Sequence, residues 1–473
     1  MFRTLPALLA LSVAGALAGC AIGPDYARPD ARLQLPDQYA AAPLSAAPAV
    51  ASNWWTLFGD ATLDELVRQA LASSPDALIA AARIEEADAV LRQVDAALLP
   101  QVDGSVAGTR NRISQTTATP IPSTAPITRS NVKMALSTSF ELDVWGKLRR
   151  ASEAARAQAL GTRYASDTVS LSLAASVAQA YLSLRALDAQ ILVNTDSVTA
   201  QARSAQLTRT RFEGGIVSQL DVQQAEGELA TYTAAQVQLE KNRALAENLI
   251  GLLVGQPGLK LAPADLRSLP VPPVPPAGLP SALLEGRPDV RKAETDLIAA
   301  NAKIGVAKAA LFPSITLTGN FGRESKDLSQ LFSAPSAIWS LGAGITQPIF
   351  EGGRLRAQVD QVSAQQTQTL ETYRKTVQTA FREVNDALVN VRQNAEAEDA
   401  YGKAMTAAQR ALKLAQARYD GGISDFTAVL DAQRSYLQAR RDLVSSEGRL
   451  NTRYVTVNKA IGNAPLREED TTQ

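Results

Sequence analysis

The residues of this chain that could do chemistry are few, and the missing types are informative. The 473 residues include no histidine, a single cysteine at Cys20, and 47 basic against 47 acidic side chains. Without histidine there is no imidazole base, no imidazole zinc ligand and no Ser-His-Asp or Cys-His arrangement. One cysteine excludes an intramolecular disulfide and a thiolate cluster. The composition therefore argues against an enzyme, and the charge balance argues against a nucleic-acid partner.

Cys20 lies where an N-terminal targeting segment ends. An apolar core runs from Leu5 to Ala16, and Leu17 and the small residues Ala18 and Gly19 precede the cysteine. A plain secretory signal is the simpler interpretation, but the position of the cysteine favours a lipoprotein signal. We predict a signal peptide over 1–19, S-diacylglycerol and N-palmitoyl groups on Cys20, and no metal or other cofactor. Ala21, where aspartate commonly marks inner-membrane retention, favours a lipid anchor in the bacterial outer membrane.

Two polar segments carry the remaining candidate residues, and they share one pattern. Arg211 to Ile216 (RFEGGI) corresponds to Arg418 to Ile423 (RYDGGI), 207 residues later (418 − 211). Each glycine pair follows a long run without proline, which predicts a helix C-terminus. After the first pair, Ser218 and Asp221 have the spacing of a capping box with Asp in place of Glu. Glycine as a helix end and arginine as a cation near the helix C-terminus explain these residues as well as a docking role does.

The wider sequence repeats in the same way. Pro75 and Pro288 open similar helical runs, and Pro100 and Pro313 close them, each pair 213 apart (288 − 75 and 313 − 100). The offset falls to 207 by Gly353, so one intervening loop differs in length. A period this long is not a solenoid unit of 20–50 residues. It predicts a duplicated half-structure.

Each half carries two segments in which apolar and polar residues alternate, strictly in three of the four and more weakly in Gln101 to Arg110. The predicted strands cover about 101–110, 131–142, 314–323 and 338–349, joined in the first pair by an outward-facing loop over 111–129. Strands of about ten residues are long enough to cross a membrane when tilted. The polar set is small, with Ser, Thr, Gly and Asn, as in a water-filled barrel. An ordinary sheet with one wet face is the alternative.

Long helices follow each strand pair. Residues 147–212 contain no proline and carry two apolar stripes, which predicts neighbours on two sides. At 1.5 Å per residue such a helix reaches roughly 100 Å. The predicted organisation is an extended segment over 20–59, a first repeat over 60–256, a Pro-rich linker over 257–280, a second repeat over 281–462 and a disordered tail over 463–473. Return helices are predicted over about 218–254 and 424–460.

Four strands cannot close a membrane barrel, because the smallest barrels have eight. An open edge in lipid would leave backbone groups unsatisfied, so several chains must share one barrel. Two chains give eight strands and three give twelve. The predicted fold is mainly α with a membrane β-barrel, built from an internally duplicated protomer with long antiparallel helical hairpins.

At these motifs the chain resembles the TolC-like outer-membrane factors, especially the lipoprotein branch of the OprM and NodT type. The resemblance rests on RFEGGIVSQLD at 211–221, FELDVWGK at 140–147, QPIFEGGR at 347–354, LDAQR at 430–434, and the GPDY that follows Cys20 at 23–26. It extends from Cys20 to about Gly462.

This resemblance implies a homotrimer with a twelve-stranded barrel and a periplasmic α-helical tunnel. It implies three further partners: a periplasmic adaptor (membrane fusion) protein, an inner-membrane RND-type pump and outer-membrane lipid. The adaptor-contact positions carried over at the helix tips are Arg211, Gly215, Ser218, Leu220, Asp221, Arg418 and Gly422. Asp425 and Asp431 are carried over as the periplasmic gate. Family members often have further acidic residues in the second tip, where this chain has Ser424 and Ala428, which weakens a full acidic ring. A local pair of Asp431 with Arg434 is the simpler alternative.

The function implied is an exit duct for small amphiphilic compounds such as drugs, driven by the pump and without catalysis by this chain. The nearest alternative is the exit duct of a type I protein secretion system. A structural lipoprotein that links envelope layers without conducting is a third hypothesis, disfavoured by the predicted lipid-facing strands.

Overall fold

A computed structural model describes residues 21–29, 52–114, 116, 126–266, 269–270, 272, 286–462 and 464–465. The predicted signal peptide, Cys20, most of the C-terminal tail and part of the Pro-rich linker lie outside the described residues. The chain divides into two compact units, one of residues 1–30, 85–161 and 293–373 and one of residues 31–84, 162–292 and 374–473. The strands belong to the first unit, and both helix tips belong to the second.

The elements follow the order expected of a duplicated chain. They are α1 (Ala61–Ser73), α2 (Pro75–Asp95), β1 (Gln101–Arg112), β2 (Thr128–Leu142), α3 (Lys147–Glu213), α4 (Gln219–Leu253), α5 (Pro288–Ala309), β3 (Ser314–Ser325), β4 (Ala337–Thr346), α6 (Arg354–Asp420) and α7 (Phe426–Ile461). Helices α3 and α6 have 67 residues each. The two long helices are therefore identical in length, as the sequence repeat predicts.

The four strands form one antiparallel sheet in the order β1-β2-β3-β4. Its register pairs Val106 with Met134, Leu136 with Phe321, and Phe321 with Trp339. Paired residues project from the same side, so these side chains form one apolar face. They are between 47% and 74% exposed in the protomer. An apolar face that the protomer leaves uncovered needs another apolar environment.

The opposite face of the sheet is polar and small. It carries Ser137, Ser139, Thr316, Asn320 and Gly344. Alternation along every strand therefore separates an apolar side from a polar side, as the sequence predicts.

Several strand limits differ from the prediction, and β3, for example, ends at Ser325 rather than near 323. The first hairpin extends further, because Asn111 pairs with Arg129 and Arg112 with Thr128 inside the segment predicted as a loop. Charged side chains there obscure the alternation, although the backbone ladder continues. The last strand ends at Thr346 rather than near 349. Pro348 follows, and proline has no N–H to donate to a ladder.

The core of the second unit forms around the middle of α3. Leu173, Val177 and Leu184 of one predicted stripe are buried, and so are Ala178 and Leu182 of the other. Both stripes thus have neighbours within the protomer, whereas Leu192 at the end of the second stripe is exposed.

A tryptophan-rich helical turn, Trp54–Phe58, packs against this core. Trp54 is fully buried, with its ring centroid 6.1 Å from that of Tyr454, and Phe58 lies 5.5 Å from the same tyrosine. The turn is therefore part of this core. Helices α1 and α2 run in series, separated at Ser74 and restarted at Pro75, as predicted. In the part of the chain that the structure describes, no helix combines the length and apolar character needed to cross a membrane.

A cluster of buried ions holds the chain that leaves α4. Asp188 of α3 accepts from Arg185 at 2.9 Å and from Arg243 at 2.6 Å. Glu247 accepts from Arg243 at 2.8 Å, from Lys260 at 3.1 Å and from the N–H of Leu261. These bonds fix the start of the segment that joins the two repeats.

The N-terminal segment 21–29 packs on the first unit in a defined direction. The N–H of Ile22 donates to the carbonyl of Trp145 at 3.0 Å, and Trp145 Nε1 donates to Pro313, directly before β3. Further along, Arg28 makes two hydrogen bonds of 2.6 and 2.8 Å to Glu294 of α5. The segment therefore starts beside the base of the strands and runs away from it along α5.

Candidate functional site

The first helix tip ends α3 in a Schellman motif. The N–H of Gly215 donates to Phe212 and the N–H of Ile216 donates to Arg211, both at 2.8 Å. Gly215 has a φ of 73°, a left-handed conformation that favours glycine. The prediction that the glycine pair ends the helix is confirmed, and it accounts for Gly215 without any partner.

The return helix α4 starts with a capping box. The N–H of Ser218 donates to Asp221 Oδ2 at 2.8 Å, and the N–H of Asp221 donates to Ser218 Oγ at 3.3 Å. The role predicted for Asp221 as a cap is confirmed. The side chains of Leu220 and Ile216 take no part in the cap or in the Schellman motif, and these residues are 65% and 75% exposed. The tip therefore presents apolar side chains on a rigid turn.

The second tip repeats this geometry with a different cap. Gly422, with a φ of 70°, donates to Tyr419 at 2.9 Å, and Ile423 donates to Arg418 at 2.8 Å. Asp425 then caps α7 by accepting from the N–H of Ala428 at 3.1 Å. The sequence predicts a helix starting near Ser424, but the cap is Asp425 and the first helical residue is Phe426.

One contact joins the two tips directly. Arg211 Nη1 donates to the hydroxyl of Tyr419 at 3.0 Å, and its guanidinium carbon lies 5.4 Å from the tyrosine ring centroid. The Tyr419 ring also lies 5.5 Å from that of Phe426. Arg211 thus holds the end of the first hairpin (α3 and α4) against the second hairpin (α6 and α7).

A second contact lies on the return helices. Arg434 of α7 donates through Nε to Glu228 of α4 at 2.7 Å and through Nη2 to the same oxygen, and its Nη1 lies 3.4 Å from Asp431. The hydrogen bond to Glu228 raises the pKa of Arg434, although burial opposes it. The Glu228 side chain is 13% exposed and Asp431 is 65% exposed. Glu228 is therefore the principal partner of Arg434, and the local pairing of Asp431 is also present.

Further polar contacts connect the two hairpins beyond the tips. Arg440 donates to Asp196 at 3.0 Å, and the Arg441 guanidinium lies 5.5 Å from the Tyr232 ring centroid. Burial raises the pKa of the Tyr232 hydroxyl. Sequence reasoning does not select Glu228, Tyr419 or Tyr232. The two hairpins have long helices of the same length, so their tips are expected at the same level. This equality in the sequence repeat could have suggested contacts between the tips.

The predicted gate residues do not form an acidic cluster. Asp425 serves as a helix cap, and Asp431 lies on an exposed surface of α7 beside Arg434. Among the described residues no group of three or more His, Cys, Asp or Glu side chains could hold a metal ion. Arg418 contributes its carbonyl to the Schellman motif and is exposed. The gate and adaptor roles of these residues stay predictions.

Comparison with known proteins decides which family has this duplicated architecture. The family described as outer membrane efflux protein matches residues 66–256 and 279–463. The chain belongs to the outer membrane efflux protein family. The two matched segments follow the two repeats, so the predicted membership, the mainly helical duplicated fold and the efflux function are confirmed.

Relatives of this efflux protein are similar over nearly their whole length. It is 36% identical over 467 residues to the toluene efflux pump outer membrane protein TtgF of Pseudomonas putida, covering 96% of both chains. It is 33% identical over 466 residues to the cation efflux system protein CusC of Escherichia coli, covering 96% of this chain and 98% of the relative. A crystal structure of CusC superposes with a TM-score of 0.84 and 30% identity, covering 94% of this chain and all of that one.

Proposed function

We propose that three copies of this efflux protein form the outer-membrane exit duct of a tripartite pump. Three protomers supply twelve strands, and their long hairpins form a periplasmic tunnel. The observation that carries this proposal is the two-faced sheet. Its apolar face suits lipid, its polar face suits a water-filled lumen, and within the described chain β1 and β4 each pair on one side only.

Aromatic residues near the two ends of the strands support a membrane position. Trp145 and Phe312 stack 4.9 Å apart just before β3, and Phe321 pairs with Trp339 further along the strands. Eight residues separate Pro313 from Phe321 (321 − 313), which is about 27 Å along a strand and about 20 Å in height at a 40° tilt. This spacing suits an apolar band about 25 Å tall between two aromatic girdles.

The position of the N-terminal segment supports a lipid anchor on Cys20. Ile22 is bonded to Trp145 at the base of the strands, and the segment then runs away along α5. Cys20 directly precedes this segment, so acyl chains there would enter the membrane near the inner aromatic girdle. Replacing Cys20 with Ser should abolish incorporation of labelled palmitate, and persistent labelling would contradict the anchor.

The inter-hairpin contacts act as the periplasmic gate. Arg211 with Tyr419 and Arg434 with Glu228 tie the second hairpin to the first. Breaking them frees the tips to separate. In this proposal Asp431 acts on the gate through Arg434, and Asp425 sets where α7 begins.

The exposed tips bind the periplasmic adaptor that connects the duct to an RND-type pump. Leu220, Ile216 and Ile423 present apolar side chains on turns held rigid by their Schellman motifs and caps. Small amphiphilic compounds are the proposed cargo, and a relative 36% identical over 96% of both chains is named for efflux of toluene, a small apolar compound.

The decisive experiment is reconstitution of purified protein in planar bilayers together with a mass measurement of the assembly. We expect a trimer that conducts ions. A trimer that stays silent under all voltages and in gate variants would favour a structural lipoprotein. In cells, deletion should increase sensitivity to solvents and drugs, whereas unchanged tolerance with a lost secreted protein would favour a type I secretion duct.

A further inference from the structure

The first hairpin of the sheet carries an unbalanced positive charge. Between Asp103 and Glu141 the charged residues are Arg110, Arg112, Arg129 and Lys133, with no carboxylate among them. The whole chain has no net charge. The β3–β4 hairpin, by contrast, alternates Arg323, Glu324, Lys326 and Asp327. The positive charge is therefore a local property of the β1–β2 hairpin.

The register divides these four cations between the two faces of the sheet. Along β1 the apolar face carries Val102, Val106 and then Arg110 and Arg112, because every second residue projects from the same side. Arg129 and Lys133 belong to the alternate set on β2, together with Ser137. Two arginines thus continue the lipid-facing surface, and two cations face the lumen.

The two arginines have no acidic partner in the described chain. No carboxylate of the described residues lies within ion-pair distance of Arg110 or Arg112, and both are exposed. Arg110 stands opposite Ser130 and Arg112 opposite Thr128, which are short and uncharged. The one carboxylate of β3, Glu324, projects from the polar face and accepts from Asn131 at 2.8 Å. The guanidinium groups are therefore available to an external anion.

The height of Arg110 coincides with one boundary of the proposed membrane band. Nine residues separate it from Gln101 (110 − 101), about 31 Å along an antiparallel strand and about 23 Å in height at a 40° tilt. The apolar band of such barrels is about 25 Å tall. Gly108 lies between Val106 and Arg110, and a side chain added there would meet nothing within 4 Å. The surface below Arg110 is thus open to an acyl chain or a sugar.

We infer that Arg110 and Arg112 form a binding site for the phosphate groups of a lipid A type glycolipid in the outer leaflet. Guanidinium groups suit phosphate because they offer several N–H donors in a planar fork. The acyl chains would lie on the apolar face beside Val106 and Val102. This inference rests on the proposed barrel, since the proposed membrane position makes this face the lipid-facing one.

The test compares two variants with the same loss of charge on opposite faces. R110Q/R112Q removes two cations from the apolar face, and R129Q/K133Q removes two from the polar face. Each purified trimer is titrated in detergent with bis-phosphorylated lipid A, and bound lipid is counted by native mass spectrometry. We expect R110Q/R112Q to bind about 30-fold more weakly, from about fivefold for each basic side chain near an anionic lipid. R129Q/K133Q should bind as the wild type does.

Two further arms identify the ligand. Dephosphorylated lipid A should bind the wild type as weakly as it binds R110Q/R112Q, and millimolar inorganic phosphate should not displace the intact lipid. The proposed site would be contradicted by an equal loss of lipid A affinity in both double variants, by no loss in either, or by displacement of lipid A by inorganic phosphate alone. If the R110Q/R112Q trimer fails to assemble, the single variants R110Q and R112Q should each bind lipid A about fivefold more weakly than the wild type. Bilayer conductance on the same preparations reports separately whether the proposed duct is correct.

Discussion

Loss of the two inter-hairpin contacts at the tips should open the duct. The double variant R211Q/R434Q removes the Arg211–Tyr419 contact and the Arg434–Glu228 pair. Arg434 is 53% exposed, so its pair is discounted for solvent and contributes about 1 kcal/mol. A cation–π contact at an exposed site contributes about 0.5–1 kcal/mol. Each protomer then loses about 2 kcal/mol of the free energy that favours the closed state.

The effect multiplies across a trimer if the three protomers open together. Three copies give about 6 kcal/mol, which shifts the closed-to-open ratio by about four powers of ten. A channel that is almost always closed then becomes open for much of the time. Single-channel recording in planar bilayers measures the open probability directly, and uptake of a bulky antibiotic gives the same information in cells.

The matched control removes a charge at the same level without breaking a contact between hairpins. Arg209 pairs with Glu226, and both belong to the first hairpin. R209Q should leave the open probability near that of the wild type. If R211Q/R434Q behaves like R209Q, or if R209Q opens the channel equally, the contacts between hairpins are not the gate.

Three further predictions concern stability. Trp54→Ala empties a fully buried site and should cost about 3–5 kcal/mol, seen as a lower Tm in detergent; an unchanged Tm would mean that the turn is not part of the core. Gly215→Ala forces a side chain into a left-handed conformation and should cost about 1 kcal/mol, whereas Gly227→Ala, within α4 and open to space, should be neutral or stabilising. Glu247→Ala removes the acceptor of Arg243, Lys260 and the N–H of Leu261, although Arg243 keeps its bond to Asp188, and it should cost about 1–3 kcal/mol. Burial alone would raise the pKa of Glu247, but hydrogen bonds from Leu261, Lys260 and Arg243 lower it below its ordinary 4.5, so its stabilising effect is present above pH 4.5 and is lost as pH falls through the folded pKa. The wild-type Tm should therefore fall more steeply in acid than the Tm of Glu247→Ala, and parallel profiles would contradict this assignment.

The secondary structure of this chain follows closely from local sequence. The helix stops at Gly214-Gly215 and Gly421-Gly422 are set by backbone conformations that glycine adopts at low cost. The capping box of Ser218 and Asp221 depends on residues three apart in the chain. Period-two alternation locates all four strands, because the two faces of a sheet meet different surroundings. The alternation predicts the ends of strands less accurately near Asn111, where charged side chains obscure it, and near Pro348, where proline ends the ladder.

The site follows from the sequence only in part. The tip motifs select Arg211 and Asp431 as tip and gate residues. Asp431 lies beside Arg434, the local pair that the sequence offers as an alternative, whereas the sequence does not predict Tyr419 as the partner of Arg211. Tyr419 and Glu228 give no signal of their own, since a tyrosine or a glutamate on a long helix is ordinary. Asp425 and Asp431, expected to form an acidic gate, lie apart in their contacts, with one residue as a helix cap and the other beside an arginine.

The sequence by itself determined what depends on neighbours in the chain: where helices end, which residues alternate, and that the unit is doubled. Only the tertiary structure decided which residues 200 positions apart come together. Arg434 and Glu228 are 206 residues apart, and Arg211 and Tyr419 are 208 apart. A contact of this kind depends on the rotation and register of two packed helices. A shift of one residue in that register would bring different side chains together. No local pattern encodes that geometry, so the contacts between the hairpins became visible only in the folded chain.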